Sequence, residues 1–372
     1  MNAFQALFGP RNPPLIGVDI STSCVRVVEL AHGAKGELRL ERYAAEALPR
    51  GAVVDGAIEN MDQVVEAVRR VCKKSGTRAR LVALGMPPAS VITRKIILPA
   101  GLSEDQLEIQ AESEAGQYIP FALDEVSLDF AVIGPSANSP EDVEVMLAAS
   151  RREKIDDRVA IAEASGLKAT VMDIESYAAR AALGRVTTLT ALDKPAAAID
   201  DSDDADFREA PVLALFQIGA QVTHISVMQD GATVYEREQP FGGNSLTHDI
   251  VHTYGMAFDE AEARKKSGEL PDNYLPELLT PFMESAVMEV MRAIQFFYTS
   301  TPYTRIDRLF LAGGCALLPG LLELIASRTR IACAMAAPFE GMQLGPAVRA
   351  AQLQVDGPAY LVACGLALRR FG

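Results

Sequence analysis

The chain has 372 residues, with 49 acidic against 35 basic and a net charge of −14. A field of that sign repels phosphate backbones and argues against nucleic acid as a partner, while the length exceeds one ordinary core and points to two lobes. The cysteines Cys24, Cys72, Cys315, Cys333 and Cys364 are odd in number and form no CxxC pair, which argues against a disulfide framework and a zinc site and for reduced thiols.

Met1 to Pro14 has neither the basic stretch nor the apolar stretch of a signal peptide, and no apolar run reaches the length of a membrane span. Phe4, Leu7 and Phe8 have helical spacing, which suits contact with a membrane or partner as well as a weakly docked terminus. Leu15 to Ile20 reads as a strand, Ser21–Thr22–Ser23 as a polar turn, and Val25 to Leu30 as an antiparallel second strand. Leu38 into Tyr43 is a third strand candidate. A helix follows over Met61 to Lys74, with Val64, Val68, Val71 and Cys72 on one face.

Beyond it, Leu81–Leu84 and Val91–Leu98 are strand-like, and Ser103 with Gln106 forms a capping-box signature for a helix. Strands are expected over Val126–Ile133 and Val143–Ala149, then a helix over Arg152–Ala164 that ends at Gly166. Residues 77–170 therefore read as an α+β insertion in a first-lobe core of 12–76. Residues 190–210 crowd Asp200, Asp201, Asp203, Asp204 and Asp206 together, a self-repelling run read as a solvated acidic linker.

Residues 211–372 form the second lobe, which reopens on the same theme. Val212–Phe216 is a strand, Gln217 to Gln221 a turn, and Val222–Met228 a second strand, with Asp230–Gly231 as the next hairpin turn. Two similar strand–turn–strand units suggest a duplicated architecture. Thr280 reads as the N-cap, with Pro281 as the first residue, of a helix whose Met291, Ile294 and Phe297 belong to the core. Leu309 to Ala312 enters a Gly313–Gly314 turn.

A tight turn between strands aims backbone N–H groups at an anion, and two such turns could grip a triphosphate from both sides. Asp19 ends the first strand at its turn, where a carboxylate suits a magnesium ion held through water. Ser21, Thr22 and Ser23 add hydroxyl donors. Taken alone, this stretch reads as readily as a polar surface hairpin, and Gly313–Gly314 as an ordinary strand-to-helix turn.

Order decides between these readings. Strand–Asp–polar turn–strand, an insertion, strand–Gly turn–strand, a segment with Glu262 and Lys265, then Leu–Ala–Gly–Gly resembles the actin/DnaK/sugar-kinase superfamily. Phe241 to Ile250, followed by Ala261–Glu262–Ala263–Arg264–Lys265, resembles the FtsA branch. Ile16 to Ser21, Gln117 to Phe121, Leu123 to Phe130 and Cys364 to Arg369 are similar to the PilM family of type IV pilus assembly proteins.

That resemblance implies a two-lobed α/β actin-like fold with an FtsA-type subdomain inserted in the first lobe, whose core is joined by residues 171–189 and the C-terminal helix. It implies ATP or ADP with Mg2+ at Asp19, Ser21, Thr22, Ser23, Gly219, Ala220, Gly313 and Gly314, with Glu262 and Lys265 beside the adenosine. Glu175 takes the position of a residue that orients water. The implied role is a cytoplasmic adaptor at the inner face of the inner membrane. It would meet the membrane only through partners, the PilN cytoplasmic N-terminal tail and other inner-membrane pilus components, and would support pilus biogenesis and twitching motility. One departure stands out: the second turn opens on Gln217 where the superfamily has Asp, which implies no or very weak ATPase activity. An actin-like filament former and a small-molecule kinase are the alternatives; no motif for a kinase base accompanies the pattern.

Overall fold

The computed structural model describes residues 13–33, 36–136, 139–189 and 210–371. Phe4, Leu7 and Phe8, and the acidic run Asp200 to Asp206, lie outside them. The chain divides into two compact units. The first takes the described residues up to Ala31, Glu41–Ala178, and those from Gly365 on; the second takes His32–Leu40 and Ala179–Cys364.

Every residue of β1 (Leu15–Ile20) is buried, the pattern of a central strand covered on both faces. It pairs antiparallel with β2 (Cys24–His32), Asp19 opposite Arg26. Then come β3 (Leu38–Ala47), the short ribbon β4 (Val53–Val54) and β5 (Ala57–Ile58), helix α1 (Met61–Ser75), and β6 (Leu81–Met86), which lies parallel to β1. Helix α1 starts because the Asn60 side chain accepts from Gln63 N–H, and ends on Gly76 in the left-handed region. Its Val64, Val68 and Val71 pack onto Ile16, Val18, Val27 and Leu84. Each such buried side chain contributes about 1.5–3 kcal/mol.

Next follow β7 (Val91–Pro99), α2 (Glu104–Tyr118), β8 (Val126–Ser136) and β9 (Ser139–Arg151), then α3 (Arg152–Ala164), β10 (Lys168–Ile174) and α4 (Glu175–Leu189). Ser103 and Gln106 make the full capping box at the start of α2. Strands β7, β9 and β8 form a separate antiparallel sheet, with α2 closing its core on Ala111 and Ala115. The first unit's main sheet runs β10-β6-β1-β2-β3.

The expected insertion at 77–170 is wider than this three-stranded body. Strand β6 lies between β1 and β10 in the main sheet, and Ile161 and Ala162 of α3 pack in the core beneath it. The strand and helix patterns were legible; which sheet each joined was set by long-range pairing.

In the second unit, β11 (Val212–Ile218), β12 (Thr223–Gln229) and β13 (Ala232–Gln239) form an antiparallel meander. Asp230 and Gly231 both take positive φ in its second turn, as a two-residue hairpin requires. Helices α5 (Asn244–Tyr254), α6 (Phe258–Ser267) and α7 (Thr280–Ser300) precede β14 (Arg308–Ala312), α8 (Leu321–Thr329), β15 (Ala332–Met335), β16 (Gln343–Leu344), α9 (Ala350–Asp356) and α10 (Leu361–Leu368). The sheet order β13-β12-β11-β14-β15 repeats β3-β2-β1-β6-β10, so the duplicated opening extends to whole sheets.

Two expectations about α7 fail. Thr280 is no N-cap: a π-helical turn over Leu275–Leu279 runs into it, and its hydroxyl donates to Leu275 O. Met291 is exposed while Ile294 and Phe297 are buried. The helix presents its narrower apolar stripe to the sheet, and Met291 falls outside it.

Candidate functional site

The sequence-derived site residues fall in both units. In the first, strands β1, β6 and β10 run parallel, and their registers bring Asp19, Gly85 and Asp173 level at the carboxyl ends. In open α/β sheets ligands gather at that edge. Asp19 is 5% exposed and receives Arg26 Nη1 at 3.4 Å. The turn beyond it is closed by Ser21: its N–H donates to Cys24 O at 3.0 Å and its hydroxyl to the same oxygen at 2.8 Å. Ser21 therefore shapes the turn, and the half-buried Thr22 and Ser23 occupy its tip.

Glu175 opens α4 at the same edge. Gly85 leaves it room: a Cβ there would lie 2.7 Å from Glu175 Cγ. Arg158, 1% exposed, lies behind these groups, donating through Nε to Gly85 O at 2.9 Å and through Nη2 to Gly56 O at 2.9 Å. Burial lowers its pKa and the Glu175 carboxylate pushes the other way. Asp173 is clamped by Arg369, from just beyond α10, through two bonds of 2.6 and 2.8 Å. Sequence reasoning assigned this pair no role, because residues so far apart in the chain give no local signal of pairing.

In the second unit the turn after β11 is held from two sides. Gly219 N–H donates to Val222 O, while Gly219 O and Ala220 O accept from Gly243 N–H at 3.0 Å and Asn244 N–H at 2.7 Å. Gly313, at φ +89, lets β14 end against this turn; a Cβ there would meet Ile218 O at 2.4 Å. Gly242 is as constrained, with a Cβ 2.6 Å from Ala220 O. Gly314 caps a single helical turn over Cys315–Leu317.

Glu262 and Lys265 stand one turn apart on α6 and bond each other at 2.6 Å. Fully buried Thr247, on α5, lies between them: it donates to Glu262 Oε2 at 2.7 Å and accepts from Lys265 Nζ at 2.6 Å. Lys265 also reaches Gly243 O at 3.1 Å. Burial raises the Glu262 pKa, but Lys265, the Thr247 hydroxyl and Lys266 together outweigh it and leave the carboxyl below its ordinary value. Cys315, beside this cluster, is pushed up to about 12 by burial, so its thiol stays neutral. Thr247 lies in the FtsA-like stretch Phe241 to Ile250 but was not assigned to the site, because its bonds to Glu262 and Lys265 form only when α6 packs against α5.

These donors can be tested against a nucleotide with magnesium. Asp19 offers a single carboxylate, and among the described residues no three His, Cys, Asp or Glu side chains converge on one point. One carboxylate suits an ion held mainly by waters and phosphates, as magnesium usually is, and not a protein cage. The backbone at Gly219–Ala220 and Gly313–Gly314 carries no bulky side chain, which suits close approach of a flat ring or phosphate. Within each unit the residues present suit the part of the group that the resemblance assigns to them.

A cavity of about 320 Å³ lies elsewhere in the first unit, where the three-stranded sheet meets the start of α3. Ile92, Ile119, Phe121, Val126 and Ala149 give it an apolar floor, with Arg151 and Lys154 at its margin.

Residues 17–371 match the family model described as Type IV pilus assembly protein PilM. Among solved structures, a PilM–PilN type IV pilus biogenesis complex is similar at 24% identity, TM-score 0.77, over 98% of this chain and 100% of that one. Ethanolamine utilization protein EutJ from Carboxydothermus hydrogenoformans is 17% identical, TM-score 0.54, over 97% of this chain and 90% of that one. Diol dehydratase-reactivating factor in nucleotide-free form is 11% identical, TM-score 0.50, over 96% of this chain and 99% of that one. The fold is the actin-like ATPase fold.

Proposed function

The chain belongs to the family of the type IV pilus assembly protein PilM, and on that premise we propose that it is a nucleotide-binding adaptor of the pilus assembly machine that docks the cytoplasmic N-terminal tail of PilN. The observation that carries this reading is the cavity at the junction of the three-stranded sheet and α3. Ile119, Phe121 and Val126 come from two of the stretches that resemble the family, and they give apolar anchors for a short peptide. No helix among the described residues is long and apolar enough to cross a membrane. The adaptor would work at the inner face of the inner membrane, reaching it through PilN and the other pilus components, and supporting twitching motility.

When bound, ATP or ADP with Mg2+ supplies phosphate oxygens and, for ATP, a transferable phosphoryl group. Asp19 would hold the ion through its water shell, its carboxylate held by Arg26. Thr22 and Ser23 offer hydroxyl donors. The Gly219–Ala220 turn and Gly313–Gly314 would admit the ligand closely, and the Glu262–Lys265 pair would border the adenosine. Glu175 would help orient water. Gln217, half-buried at the end of β11, can hydrogen-bond to water but brings no charge, so hydrolysis is absent or very slow.

A pull-down and a binding titration with a PilN tail peptide test the adaptor reading. Saturable binding that weakens at least tenfold in Phe121→Ala is expected, as for a central apolar anchor. If the full chain, with or without ATP, shows no saturable binding to the tail, the reading is wrong.

A further inference from the structure

The floor of the cavity is apolar, yet the charged residues lining it, Arg151 and Lys154, are both cations. They stand out in a chain whose net charge is −14. Arg151 lies over the Phe121 ring at 4.2 Å, so its guanidinium is held beside the apolar floor. It is also the N-cap of α3, a 13-residue helix whose first turn has no side-chain cap. Lys154 sits in that first turn. Two cations thus place positive charge at the margin of an apolar hollow. The nearby carboxylate of Glu153 is 66% exposed and reaches Arg151 at 3.9 Å, the outer limit of an ion pair and worth little in water.

We infer that the cavity recognises a peptide in which an apolar side chain and a carboxylate lie close together in sequence. The apolar side chain fills the floor over Ile119, Phe121 and Val126. The carboxylate is taken by Arg151 and Lys154. The inference rests on the reading of this cavity as the peptide dock and adds what the peptide must carry. Its volume of about 320 Å³ holds a side chain or two. That is the low end of ligand pockets, which run on the order of 300–1,000 Å³. Apolar burial supplies the affinity, and the charge-assisted bonds fix register and exclude peptides with a cation at that position.

The test titrates the full chain, at low salt, with two labelled PilN tail peptides that differ at one position beside an apolar residue, Glu in one and Gln in the other. The amide peptide is expected to bind about tenfold more weakly, as for loss of a charge-assisted bond. The gap should close toward about 1 M salt, where the Debye length falls to about 3 Å. Lys154→Gln and Arg151→Gln should each narrow it without changing the circular dichroism spectrum. Two peptides of equal affinity, both saturable, would remove this inference and leave the dock intact. A gap that survives in both variants overturns it as well. If neither peptide binds, the dock itself falls and the inference with it.

Discussion

Gly365 is where the packing of the first unit has least tolerance. It lies on α10 against α4, and a Cβ there would stand 1.8 Å from Ala178 O, 2.3 Å from Ala178 C and 2.8 Å from its Cα. All three are backbone atoms of a fully buried residue, so no side chain can rotate away. In Gly365→Ala the helices must part by about 1.6 Å to restore ordinary contact, at a cost near the top of the overpacking range, about 3 kcal/mol. Alanine regains about 1 kcal/mol of helix propensity, leaving a net loss of about 2 kcal/mol. For a unit of this size that lowers Tm by roughly 4–8 °C. Gly184, in the same helix α4, has nothing within 4 Å of its would-be Cβ. Gly184→Ala should therefore raise Tm by roughly 2–4 °C. The assay is thermal unfolding followed by circular dichroism, with urea midpoints as a check. If Gly365→Ala melts with or above the wild type, or if both variants shift in the same direction, the close crossing of α4 and α10 is wrong. Because Arg369 follows directly after α10, parting the helices should also loosen its grip on Asp173.

Asp19→Asn should weaken magnesium-dependent ATP binding about tenfold in calorimetry, the scale of one lost charged contact; unchanged affinity would remove Asp19 from the site. The wild type should turn over ATP more slowly than about one per second, and Gln217→Asp should raise the rate of phosphate release. Glu262 has a folded pKa below its ordinary value of 4.5, so its contribution to stability is fully present above that value and is lost as pH falls through the folded pKa. The stability gap between wild type and Glu262→Gln should accordingly be widest at neutral pH and shrink below about pH 4.5 in urea titrations. A gap that grows with acid would contradict the Lys265–Thr247–Glu262 network.

Local rules reached far into this chain. The strand Leu15–Ile20, the helix starting at Met61, the Ser103–Gln106 box and the Asp230–Gly231 hairpin all depend on neighbours within a few residues, and each stands where its pattern put it. So does the order of parts that marks the family. The start of α7 shows the limit: Thr280–Pro281 carries a valid start signal, but a π-helical turn enters it from Leu275–Leu279.

What only the tertiary structure decided involves partners distant in sequence. Strand β6 joins the main sheet because it pairs with β1 and β10, which no residue within β6 encodes. Arg158 is buried because Gly85 and Gly56 offer it carbonyl oxygens. Ser21, read as a donor to phosphate, spends its hydroxyl on Cys24 O. Thr247 gains its place only when α6 brings Glu262 and Lys265 to it, and the cationic margin of the apolar cavity exists only where β9 ends beside Phe121. The reason is common to all of them. Secondary structure is set by near neighbours and propensities that a sequence displays directly. A buried polar group or an empty hollow is defined by which surfaces meet, and that is settled by packing over the whole unit.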